Sequence, residues 1–307
     1  MDNLALQVLA QVRKAVVGKD EVISKAILAV LAGGHILMED IPGVGKTTLA
    51  VALSKTLGLT CHRVQFTPDV MPSDLTGFSV YQKETGKLSY QPGSLLCNLF
   101  LADELNRATA RTQSALLEAM EEGQVTVDGV SHPVPRPFLV MATQNPTGAA
   151  GTQGLPDSQL DRFMVRLSLG YPGAADEGEM LRRRGEGDPM AQVEQVASAG
   201  ELEAAQAQVR AVFLKDEVAA YIVSLVSATR SHPAVAQGGS PRATLAVAAM
   251  ARARAWVLGR DYVLPEDVSA VFEDTLSHRL ILTGRGKQEG RNVCAEVLGS
   301  VSAPRLS

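Results

Sequence analysis

Five short apolar runs punctuate roughly the first 170 residues, with helical stretches between them. They are HILMED (35–40), HRVQF (62–66), LFLADE (99–104), FLVMATQN (138–145) and FMVRLSL (163–169). KTTLAVALSKTLG, ending at Gly58, and RTQSALLEAMEEG, ending at Gly123, carry helical periodicity. Runs that barely alternate with polar residues belong to strands buried on both faces. Strands of that kind separated by helices predict an α/β fold with a five-stranded parallel sheet covered on both sides. Two inserts break the rhythm. FSVYQKETGKLSYQP (78–92) turns at Glu84–Gly86, and QVTVDGVSHPVP (124–135) carries Asp128–Gly129 at its tip, so each reads as a β-hairpin.

Beyond Tyr171–Pro172–Gly173 the chain becomes rich in Ala and Glu and almost wholly helical. Three helix patterns stand out, KDEVAAYIVSLVSATRSH, SPRATLAVAAMARARAWVLG and LPEDVSAVFEDTLSHRL, each with a start signal. This predicts an αβ domain over 1–171 and a helical domain over 172–307, with a weakly patterned, Gly-rich tail from about Thr283.

Composition narrows the function. A formal net charge of −4 over 307 residues offers no global basic field for a nucleic acid backbone. Aromatics at 4% make a base- or sugar-stacking platform a poor expectation. Cys61, Cys97 and Cys294 are too scattered for a disulfide framework or a zinc site, and read as thiols of a reducing, cytoplasmic compartment. No apolar run is long enough to span a membrane. The opening MDNLALQVLAQVRKAVVGKDE reads as an amphipathic helix and lacks the layout of a secretory signal.

The chemistry concentrates where the apolar runs end. DIPGVGKT (40–47) follows the first run and opens a helix. It matches the phosphate-binding pattern G-x-x-x-x-G-K-[ST] except that Asp40 replaces the first glycine. Glycines Gly43 and Gly45 let backbone N–H groups curl around phosphate oxygens, and the helix N-terminus adds positive charge. Lys46 suits the β- and γ-phosphates, and Thr47 suits Mg²⁺. An acid at position 40 predicts some repulsion of phosphate. The run LFLADE ends in Asp103 and Glu104, an acidic pair that is costly at a buried strand end unless it binds something. Asp103 suits a water-mediated Mg²⁺ ligand, and Glu104 the base that polarises the attacking water. Asn145 ends the next apolar run, where its amide could hold that water or simply begin an Asn–Pro turn. Arg162 and Arg242, in LPDSQLDRFMVRL and SPRATLA, are ambiguous alone, since lone arginines are usually solvated or paired with carboxylates. The basic cluster RRRG (182–185) reads as a solvated helix face rather than a DNA contact.

Together DIPGVGKT, LADELNRATARTQSALLEAMEEGQVTVDG, MATQNP, LPDSQLDRF and SPRATLA resemble the AAA+ ATPase superfamily, and within it the MoxR family. The resemblance runs from VVGKDEV (16–22) to HRL (278–280), and both hairpins fall where the helix-2-insert branch carries its own. It implies a P-loop core with an all-α lid, and ATP hydrolysis with Mg²⁺. By position it implies that Val16, Val17 and Gly18 wrap the adenine, and that Pro42, Gly43, Val44, Gly45, Lys46, Thr47 and Thr48 hold the phosphates. Asn145 matches sensor 1, and Arg242 matches sensor 2, which reaches the γ-phosphate from the lid. Arg162 matches the arginine finger acting on a neighbouring subunit, with Arg166 and Arg111 as reserves, which implies a ring, usually a hexamer. Proteins of this kind remodel or mature other proteins, including by metal insertion, together with von Willebrand factor A domain partners. A magnesium-chelatase-like motor subunit and a nucleotide-dependent switch with negligible turnover are the alternatives. Phe78 and Tyr81 are candidate partner contacts in the first insert.

Overall fold

A computed structural model describes residues 4–144, 154–284 and 289–305. The chain opens with helices α1 (Leu4–Ala15) and α2 (Asp20–Leu31), then strand β1 (Ile36–Glu39), α3 (Lys46–Thr56) and β2 (Cys61–Gln65). A short α4 (Pro72–Thr76) leads into β3 (Gly77–Gln82) and β4 (Lys87–Pro92). Next come β5 (Leu99–Asp103), α5 (Ala110–Glu122), β6 (Gln124–Val127), β7 (Val130–Pro133) and β8 (Leu139–Gln144). A turn of helix, α6 (Asp157–Leu160), precedes β9 (Val165–Leu167). The remainder is α7 (Ala174–Glu186), α8 (Ala199–Ala211), α9 (Asp216–Arg230), β10 (Val235–Gln237), α10 (Pro241–Val257), α11 (Pro265–Leu276), β11 (Ile281–Leu282) and α12 (Glu289–Ser300).

The five apolar runs form one sheet in the order β2-β5-β8-β1-β9, with every pairing parallel. Strands β5 and β8 lie in the middle and are buried at every position, whereas the edge strand β2 is not. Alternation along each strand separates two cores. Met38, Leu99, Leu101 and Met141 face one that continues into α1, α2 and helices α8 to α12. Leu37, Phe100, Val140 and Ala142 face the other, with Phe66, Leu116 and Phe163. Both inserts are antiparallel hairpins, with Gly77 opposite Pro92 and Gln124 opposite Pro133.

One expectation fails at the C-terminus. The stretch beyond Thr283 contains α12, whose Val293, Cys294 and Val297 are buried against the lid core. Its apolar residues do follow a helical period, but glycines at both ends, Gly290 and Gly299, mask it in composition. Gly290 packs against Ser277, whose carbonyl oxygen would lie 2.8 Å from an added Cβ.

Because the sheet is parallel, each strand ends at the same edge, and the loops there carry the polar residues singled out above. Helix α5 runs from that edge back to the opposite one. Its thirteen residues cover about 20 Å, and at its far end the carbonyl of Met120 meets the His35 ring at the start of β1.

Candidate functional site

The loop after β1 is built on two left-handed residues, Gly43 (φ 85°) and Gly45 (φ 99°), the second capping the N-terminus of α3. A Cβ added at either would meet no protein atom within 4 Å, so glycine serves the backbone turn and leaves the concave side open. Lys46 is buried and folds over the loop, donating to the carbonyls of Asp40 (2.6 Å) and Ile41 (3.1 Å). Burial lowers its pKa, against the opposing pull of the carboxylates of Asp40, Asp103 and Glu104.

Asp40 does something other than repel phosphate. Its carboxylate accepts from the Ser168 hydroxyl (3.0 Å) and the amides of Leu169 and Gly170, just after β9. The residue in the first glycine's place therefore anchors the loop to the far edge of the sheet.

Asp103 accepts from Thr143 Oγ1 (2.6 Å) and Arg63 Nη2 (2.7 Å). Glu104 sits in the left-handed region (φ 56°, ψ 45°), a conformation that costs a non-glycine residue ~1–2 kcal/mol. Its amide donates to Thr143 Oγ1 (2.9 Å), which holds it there, and its carboxylate accepts from Arg107 (2.9 Å). Thr143, Arg63 and Arg107 escaped the reading of the sequence. Thr143 left one signal, a polar residue inside a buried run. Asn145 lies outside the described residues, directly after Gln144, which donates to Glu39 (3.2 Å).

Val17, Pro42, Gly43, Val44 and Thr48 line a cleft of about 810 Å³, closed on its other side by Tyr171, Pro172 and Met180. That volume suits a nucleotide-sized ligand. The facing wall is α7 and the segment before it, not the bundle of α9 to α11. The Val16 side chain is buried in the hydrophobic core, which leaves its backbone as the part that could border a base. Gly18 (φ 68°) passes so near Asp176 that an added Cβ would collide with the carboxylate. The arginines of α7 are committed locally. Arg182 pairs with Glu179 and Glu186, Arg184 pairs with Asp188, and Arg183 donates to carbonyls at the end of α1.

The two candidate arginines lie elsewhere, and together. Arg162 precedes β9 and so stands beyond the edge where the strands begin, opposite the phosphate loop. It pairs with Glu121 at the far end of α5, and Arg242, in the first turn of α10, pairs with the same carboxylate. The expected reach of Arg242 to the nucleotide of its own chain is thus not what the fold provides, because α10 starts at the opposite edge. The turn bearing Arg162 is clamped by the lid. Buried Arg279 bonds Asp161 (2.8 Å) and the Phe163 carbonyl (2.7 Å), His278 bonds that carbonyl too (3.0 Å), and Ser240 donates to Asp161 (3.0 Å). Of the reserves, Arg166 is held by Glu39 (3.2 Å), and Arg111 is exposed at the start of α5.

Sequence comparison agrees with this layout. Residues 35–165 match the ATPase family associated with various cellular activities (AAA), and residues 227–297 match the AAA lid domain. The chain is 41% identical to "Chaperone MoxR1" of Mycobacterium tuberculosis over 89% of this chain and 74% of that protein. It is 32% identical to "Protein MoxR" of Methylorubrum extorquens, over 89% and 86%. The chain belongs to the MoxR family of AAA+ ATPases. The crystal structure of a "putative ATPase" from Cytophaga hutchinsonii superimposes with a TM-score of 0.90 at 38% identity, covering 99% of this chain and 96% of its own. The MoxR fold thus accounts for the five-stranded parallel sheet with its helical lid. Among the described residues no helix is long and apolar enough to cross a membrane.

Proposed function

We propose that this MoxR-family chain hydrolyses ATP in a site shared between neighbouring subunits of a ring, most simply a hexamer. One observation carries the reading. The phosphate loop with Asp103 and Glu104 stands at one edge of the sheet, while Arg162 and Arg242 stand at the other. A single chain cannot fold its arginines onto its own nucleotide, but head-to-tail neighbours bring the two edges together.

The residues fit a triphosphate. The loop amides from Gly43 to Thr48, after the turn at Pro42, cradle the phosphates, Lys46 neutralises the β- and γ-oxygens, and Val17 and Gly18 border the base. The oxygen donors of Thr47 and Asp103 fit Mg²⁺, Asp103 through water, and when bound the ion offsets phosphate charge. Glu104, held in its strained backbone by Thr143, accepts the proton of the attacking water. Asn145 is placed by sequence to orient that water. Arg162 and Arg242 of the adjacent subunit stabilise charge on the transferring phosphoryl group.

The work driven is chaperone-like remodelling or maturation of a partner protein, metal insertion included, with a von Willebrand factor A domain protein as the adaptor. The name of the mycobacterial relative supports the chaperone reading. The exposed Phe78 and Tyr81 of the β3–β4 hairpin are the surfaces offered to that partner.

Subunit mixing tests the shared site. Arg162→Ala and Lys46→Ala chains should each be inactive and regain part of the turnover when combined. No recovery at any ratio would sink it. For the partner, affinity capture with Glu104→Gln chains in ATP should enrich an A-domain protein, and equal recovery without nucleotide would count against it.

A further inference from the structure

Glu121 occupies an odd place. It lies in the last turn of α5, where the helix dipole disfavours a carboxylate, and Glu122 beside it adds like charge. Burial raises its pKa further, yet Arg242 and Arg162 outweigh that and hold the carboxyl below its ordinary value. A carboxylate that helix stability would reject is retained by two cations from two different elements, one from the core and one from the lid.

The geometry is one oxygen for each arginine. Oε2 meets Arg162 Nη1, and Oε1 meets Arg242 Nη2. Arg162 Nη1 also donates to the Leu117 carbonyl (3.2 Å), one turn back on α5. Without the carboxylate, two guanidiniums would lie side by side and repel. With it, each retains further N–H groups for another acceptor, since a guanidinium carries five. The cluster opens to solvent, with Arg242 46% and Glu121 36% exposed at the side chain. A merely structural ion pair needs one arginine; a bracket holding two at a subunit edge suits a ligand bearing several negative oxygens.

We propose that Glu121 is a positioning residue that sets Arg162 and Arg242 as a preformed pair for the triphosphate held by the neighbouring subunit. This rests on the shared-site reading above. Glu121 touches no reacting atom and acts through the arginines alone.

The test uses the full-length assembled protein. Glu121→Ala should lower kcat by roughly 10- to 100-fold, the cost of a misplaced catalytic group, and leave KM for ATP within about threefold. Glu121→Gln, which keeps the volume and one oxygen, should fall between the two and still reports if the alanine variant folds poorly. Adding Glu121→Ala to the Arg162→Ala, Arg242→Ala double variant should cost nothing further. Glu121→Ala chains mixed with Lys46→Ala chains should recover turnover, because the lesion sits on the arginine-giving side. Normal kcat in Glu121→Ala, or an additive loss on the double variant, overturns the proposal. If the arginine variants are dead while Glu121→Ala turns over normally, only the role of Glu121 falls. If the arginine variants themselves keep full turnover, the shared site fails, and this proposal with it.

Discussion

The phosphate edge and the arginine edge of this molecule solve the same problem, holding charge where it is needed, by opposite means. At the phosphate edge the main chain does the work. Two glycines with positive φ, a glutamate forced into a left-handed turn and a lysine folded onto carbonyls leave little to side-chain choice. At the arginine edge charge is set by ion pairs reaching between core and lid. Backbone geometry is written in local sequence, whereas ion pairs between distant segments are written nowhere in particular.

The two edges should break differently. Glu104→Gln removes the proposed base and its charge on Arg107, but keeps the bond that the Glu104 amide donates to Thr143. Turnover should fall by about 10²- to 10⁴-fold with nucleotide affinity retained, read by single-turnover assay and equilibrium binding. A parallel loss of affinity would mean that the phosphate edge is less rigid than described.

Asp161→Asn attacks the other edge. It leaves Arg279, 7% exposed, facing an uncharged partner, and should cost about 3 kcal/mol in a denaturant melt. A melt unchanged from the parent would show that the clamp between lid and core is not structural.

Acid should also find the arginine edge first. Burial pushes His35 down to about 4, and burial followed by the Arg279 charge lowers His278 well below its usual value. Both rings bond carbonyls there, of Met120 beside Glu121 and of Phe163 beside Arg162. The unfolded chain protonates these rings near pH 6.5 and the folded chain only far lower, so stability is complete above that value. It declines as pH falls toward 4, by about 3 kcal/mol for His35 alone and further for His278. Hydrogen exchange at pH 5 should rise at the end of α5 before it rises in α3, and the reverse order would invert the comparison.

The smallest expected effect is Thr143→Val, which strands the Glu104 amide and leaves Asp103 with Arg63 but without the hydroxyl donor. Stability should drop by about 1–2 kcal/mol in thermal melts, and turnover by roughly tenfold.

These contrasts explain what could be read in advance. The sheet was legible because β5 and β8 are continuous apolar runs, and the places of Lys46 and Glu104 because a glycine turn and an acidic pair each mark the end of such a run. Glu121 was hidden in an ordinary amphipathic helix, and its partners lie 41 and 121 residues along the chain. Thr143, Arg63 and Arg107 act only through contacts made once strands are side by side. Asp40 misled because a charge near a phosphate loop implies repulsion until its partners, the amides after β9, are known.

Helix α5 has one more consequence. It begins close behind Glu104, carries Glu121 near its end and runs straight into β6, the first strand of the second hairpin. That hairpin's His132 stacks on Tyr90 of the first, ring centroids 3.7 Å apart and ring planes nearly parallel. The two hairpins are therefore a single two-pronged tool fixed to one shaft, and the shaft's mounting is the bracket that grips the arginines. A force on either prong is delivered along α5 to Glu121 and so to the two arginines, one from the core and one from the lid, that it holds together.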